Sequence, residues 1–77
     1  MKRKKKYRAI YYMLQSVHFK RDIWTPNSAR LWLLSHNIVP IKPLHATETM
    51  LKYRISEPKH GKYHSKYVTN GVLFIFD

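Results

Sequence analysis

The stretch WTPNSARLWLLSHN, residues 24 to 37, restricts this chain more than any other, because both ends of a helix are written into it. Thr25 is a natural N-cap whose hydroxyl accepts from an orphan backbone N–H, and Pro26 occupies the first helical position, where its missing N–H costs nothing. Trp24, just ahead of the cap, is placed to staple onto Ala29. At the far end Asn37 suits a left-handed cap, and Ile38 beyond it can fold back on Leu33 in a Schellman motif. A helix over about 26 to 36 follows. At about 100° per residue, Pro26, Ala29, Trp32, Leu33 and His36 share one side, which is the expected core face.

The opposite side carries Asn27, Arg30, Leu31 and Leu34, with a single charge. A helix that reads a DNA groove needs several side chains able to reach base edges, and a helix-turn-helix needs a second helix close by. Neither is visible, so the helix is expected to build core rather than read sequence. Arg30, Leu31 and Leu34 form a candidate protein-contact patch. The ordinary alternative is a pair of isolated exposed leucines, or leucines covered by the connection IVPIKPL.

The other elements read as strands. Residues 12 to 20 mix helical and alternating patterns and end on β-favouring Val17 and Phe19, which favours a strand. Two closely spaced prolines in IVPIKPLHA rule out helix and fit an extended connection. In TETMLKYRIS, Leu51, Tyr53 and Ile55 alternate with Met50, Lys52, Arg54 and Ser56, the pattern of a half-buried strand. EPKHG reads as a turn. Asn70-Gly71 between two β-rich runs predicts a two-residue hairpin with a type I′ turn, and the wholly apolar Val72 to Phe76 predicts a central or doubly covered last strand. The expected fold is therefore α+β: one helix packed on a small, mainly antiparallel sheet of three to four strands, with a C-terminal β-hairpin.

With 77 residues and no cysteine, the chain has a small core and no disulfide or thiolate-metal staple. Eleven Phe, Trp and Tyr residues offer dense aromatic packing instead. No apolar run approaches the roughly 18 to 20 residues of a membrane span. MKRKKK opens like a signal peptide, but AIYYML stops at Gln15 with no small-residue cleavage site after it. The expected location is a virion or the cell interior, host nucleus or cytoplasm, rather than outside the cell.

Charge is the strongest functional signal. The formal net charge is +11. Lys2, Arg3, Lys4, Lys5, Lys6 and Arg8 crowd the first eight residues, while residues 9 to 77 hold nine Lys and Arg against four Asp and Glu, a body of net +5. Residues 1 to 8 read as a disordered basic arm on a single domain of residues 9 to 77, an arm suited to nuclear import, to phosphate binding, or to both. Such a field attracts polyanions through phosphate neutralisation and counterion release.

Catalytic constellations are not found. Asp22, Glu48, Glu57 and Asp77 are scattered, no serine sits in a nucleophile elbow, and Gly61 and Gly71 read as turn residues rather than a phosphate loop. His60 and His64 stand four apart, yet no cysteine or neighbouring carboxylate completes a metal set. No catalytic residue, metal or cofactor is assigned. The segment KHGKYHSKY is more informative: as a strand it lines Lys62, His64 and Lys66 on one face and Tyr63, Ser65 and Tyr67 on the other. Together with Lys52 and Arg54, those cations form an expected basic patch across the sheet. Basic grooves flanked by aromatic side chains bind single strands by charge and stacking, and basic strands alone bind duplex backbone.

Trp24, Thr25, Ala29, Trp32, Leu33 and His36 spell W-T-x-x-x-A-x-x-W-L-x-x-H. They follow Val17-x-Phe19 and precede Lys42-Pro43, Thr47-Glu48, Tyr53-Arg54 and Asn70-Gly71-Val72. Over residues 13 to 77 this resembles a short domain of giant DNA viruses and some tailed phages. It departs from that pattern at Asn37, where a glycine is usual after the helix. The resemblance implies the fold just described and a viral origin, and it carries over no catalytic or binding role. The expected function is thus a non-enzymatic cationic protein that binds nucleic acid without strong sequence preference. The alternative is a minor capsid or other virion protein held by contacts with itself or with other virion subunits.

Overall fold

A computed structural model describes residues 14–57 and 63–76. The basic arm, the start expected for the first strand, most of the EPKHG turn and Lys62 lie outside the described residues. The elements are β1 (Leu14–Lys20), α1 (Pro26–Ser35), β2 (His45–Ala46), β3 (Met50–Arg54), β4 (His64–Thr69) and β5 (Val72–Phe76). One antiparallel sheet runs β2-β3-β1-β5-β4, with α1 packed on one face. Among the described residues it holds five strands rather than the expected three or four. The extra one, β2, is a two-residue strand paired through His45 with Lys52 and Ala46 with Leu51, too short to carry any alternation in the sequence.

The helix is bounded as its sequence dictates. Thr25 caps it, its hydroxyl accepting from the Ser28 N–H, while the Ser28 hydroxyl accepts from the Thr25 N–H, closing a reciprocal capping box. Asn37 takes φ 58°, with its N–H donating to the Leu34 carbonyl and that of Ile38 to the Leu33 carbonyl. That is the Schellman arrangement, and Ile38 is buried in the same cluster as Leu33.

Ala29 and Leu33 sink against Val17, Phe19, Leu51, Tyr53, Val72 and Phe74. Phe19 is the hub, meeting Trp24, Trp32 and Tyr53 edge-on at ring separations of 5.3, 5.8 and 5.7 Å. Trp32 also meets Phe74 and stacks on His36 at the helix end. Edge-to-face pairs add about 0.5–1.5 kcal/mol each beyond burial, so interlocking rings supply the density that a cysteine-free domain needs.

Strand β1 lies at the centre, with β5 beside it and inside the β4 edge. The β1–β5 ladder has a bulge between Leu14 and Ser16, and on the β3 side the Gln15 carbonyl accepts from the N–H groups of Ile55 and Ser56. The hairpin turn differs from the type I′ expected. Type I′ needs positive φ at both central residues, and here Gly71 has φ 74° while Asn70 stays out of that region. The ladder absorbs the difference as an irregularity between Tyr67 and Thr69. Trp24 lies against this turn: its Nε1–H donates to the Asn70 carbonyl, and a Cβ on Gly71 would lie 3.0 Å from that same nitrogen.

Candidate nucleic-acid interface

On the sheet face away from α1, alternation and register place one continuous cross-strand row: His45, Lys52, His18, Leu73 and Tyr67 are successive partners across all five strands. At a spacing of about 4.8 Å per strand, the row spans about 19 Å. A second row joins Arg54, Ser16, Ile75 and Ser65. Lys20, at the end of β1, reaches over the Tyr67 ring with its Nζ 5.3 Å from the centroid, a cation–π contact. One half of the face is therefore cationic and the other apolar and aromatic.

The cationic half is indented. Ser16, His18, Lys42, His45, Lys52 and Arg54 line a cleft of about 210 Å³ between the sheet and the Lys42-Pro43 corner of the connection. His18 is one of its lining residues, with its Nε2 3.1 Å from the Ser16 hydroxyl. Burial, and then the positive charges of Lys52 and Arg54, hold the His18 imidazole at about 4, well below its ordinary 6.5. The ring is therefore neutral at pH 7.

Stability depends on pH as a result. Between pH 6.5 and about 4 the unfolded chain binds a proton at His18 that the folded one refuses, so stability is full above 6.5 and falls as pH drops through that window. After allowance for the solvent that reaches a half-exposed ring, the loss is on the order of 1–2 kcal/mol. Thermal melts at pH 7 and pH 4.5 should show a drop in Tm that His18→Gln reduces. An equal drop in that variant would assign the pH sensitivity to other groups.

The expected patch does not assemble as the sequence suggested. Lys52 and Arg54 lie on this face, but His64 and Lys66 pair with Phe76 and Phe74 and point to the helix side of the sheet. The alternation inside β4 is as expected; what differs is which of its faces meets Lys52 and Arg54, and it is the one bearing Ser65 and Tyr67. Lys2, Arg3, Lys4, Lys5, Lys6, Arg8 and Lys62 lie outside the described residues. Sequence reasoning missed Ser16, His18, Lys20, Lys42 and His45. Alternation in β1 pairs His18 with Lys20 opposite Val17 and Phe19, but nothing in the sequence reveals that β3 is the neighbour of β1. Arg21 is set apart from the site, its guanidinium donating to the Thr47 carbonyl at 2.6 Å.

On the helix side, Arg30 and Leu34 line a shallow groove of about 660 Å³ against Val39, Pro40 and Lys42, floored by Leu33. Leu31 stands outside it, exposed. Compared with family models, with curated proteins and with solved structures, the chain matches none.

Proposed function

We propose that this protein is a non-enzymatic, cationic α+β domain that binds nucleic acid through backbone phosphates without strong sequence preference, in association with a viral genome. The observation that carries the reading is the cross-strand row from His45 to Tyr67, flanked by Arg54 and Lys20, which sets cations and an exposed aromatic ring on one face. Charge fixes phosphates and the ring offers a stacking surface, a combination that suits single strands and tolerates any base. The six cations of residues 1 to 8 add phosphate contacts, and the viral setting rests on the W-T-x-x-x-A-x-x-W-L-x-x-H resemblance. Titration of the purified chain with duplex and single-stranded DNA at about 50 and 200 mM salt tests it. Affinity should fall by orders of magnitude between the two; binding that ignores salt, or none at low salt, overturns the reading.

A second reading has its own observation. Leu31, Leu34, Val39 and Ile41 are 58, 57, 71 and 49% exposed, an aliphatic surface spread over the helix and the connection. As a virion structural protein, the chain would bury this surface, with Arg30 at its rim, against a second copy. Sedimentation at rising concentration should then show a dimer or larger species that Leu31→Asp with Leu34→Asp returns to monomer. A wild-type chain that stays monomeric into the millimolar range removes this reading.

A further inference from the structure

We propose that the cleft between β1, β2, β3 and the Lys42-Pro43 corner is a discrete site for one phosphate group, bound by Lys42, Lys52 and Arg54 and by hydrogen bonds from Ser16, His18 and His45. The proposal deepens the nucleic-acid reading, on which it rests, by naming where a single phosphate is held.

Four features converge on it. The six residues come from β1, β2, β3 and the connection and meet in one indentation, with no carboxylate among the described residues that line it. Its volume of about 210 Å³ is below the roughly 300 Å³ from which small-molecule pockets start, which suits a compact charged group rather than a base with its sugar. Arg54 brings a planar fork matched to two phosphate oxygens, and Lys42 and Lys52 bring point charges. Cross-strand pairing seats Lys52 between His45 and His18, so three nitrogen-bearing side chains stand in line along one wall.

An anion in this cleft reverses the electrostatics at His18. Among the described residues, the groups on the side of the ring are Lys52 and Arg54 from β3, Ser16 and Lys20 from its own strand, His45 from β2, Lys42 from the connection, and the apolar Leu73 and Ile75 from β5. With the cleft empty, burial and the two β3 cations keep the imidazole neutral. A bound phosphate offsets those cations and accepts a hydrogen bond from the ring, which favours the imidazolium. Binding therefore takes up a proton. By linkage, the bound state holds more protons than the free one, so affinity rises as pH falls from neutrality toward the free value of His18.

The test follows the histidine ring signals of the full chain by NMR during titration with inorganic phosphate and, separately, with a short thymidine oligonucleotide, whose phosphodiesters do not titrate near neutrality. The expected result is a saturable shift of His18 and His45 in both arms, with the His18 titration midpoint raised by at least about one pH unit. His64, on the opposite face, serves as the internal control. Arg54→Gln should weaken phosphate binding at least about tenfold, whereas His18→Gln should weaken it by a smaller factor and abolish the proton uptake. Saturation at His18 by phosphate with no oligonucleotide binding upholds the site and removes the nucleic-acid reading. Salt-sensitive oligonucleotide binding with His18 silent in both arms removes the site and leaves that reading standing. Equal shifts at His64 and His18 would mean general ionic screening and would also overturn the site.

Discussion

Phe19→Ala is expected to lower the melting temperature by on the order of 20 °C and to leave a substantial unfolded fraction at about 37 °C. Phe19 is fully buried on the central strand, and its ring is the shared edge-on partner of Trp24, Trp32 and Tyr53. Truncating a buried phenylalanine costs about 3–5 kcal/mol, through lost transfer energy and the cavity left behind. A domain of this length has about 4–12 kcal/mol of total stability, so the change removes a large fraction of it. At about 4–8 °C per kcal/mol, the effect is well outside error in a circular-dichroism melt. Because Trp24 also holds the Asn70 carbonyl, the damage should spread to the β4–β5 hairpin. Leu31→Ala, at an exposed helix position, provides the contrast, with an expected change within about 0.5 kcal/mol. A drop of less than about 5 °C for Phe19→Ala would show that the aromatic hub does not carry the core.

The second large effect concerns charge. Each phosphate contact contributes about 0.9 to the slope of log affinity against log salt on duplex DNA. Deleting residues 1 to 8 removes six cations, so the slope should flatten by up to about 5 and low-salt affinity should fall by orders of magnitude. Within the body of the protein, Lys52→Gln and Arg54→Gln should each flatten it by about 1, and Lys66→Gln should do much less. The last comparison discriminates between faces, because Lys66 pairs with Phe74 on the helix side while Lys52 pairs with His18 on the other. If Lys66→Gln and Lys52→Gln proved equivalent, binding would follow total charge and the face away from the helix would hold no special place.

The helix boundaries, its buried Ala29 and Leu33, the left-handed Asn37, the alternation of β3 and the hairpin are all legible in the order of the residues, because each depends on neighbours within one turn or one strand. The turn at Asn70-Gly71 departs from the type I′ geometry that its dipeptide favours, and Trp24, distant in sequence, sits against Gly71, a contact that no local pattern announces. The site is legible only in pieces. Lys52, Arg54 and Tyr67 can be assigned to strand faces, but joining the faces needs the order of the strands and their register. A shift of one residue exchanges every side chain between the two sides of a sheet.

The sequence by itself therefore determined the local elements, the aromatic composition of the core and the sign and size of the electrostatic field. Caps, prolines, alternation and charge act over short distances along the chain or regardless of fold. Only the tertiary structure decided that β1 runs between β3 and β5, and with it that His18 stands beside Lys52, that Tyr67 faces Lys20, and that His64 and Lys66 turn to the other side. These juxtapositions come from backbone hydrogen bonding between strands far apart in sequence. The side-chain preferences that select partners and register act between residues far apart in sequence, so no local pattern along the chain reveals them.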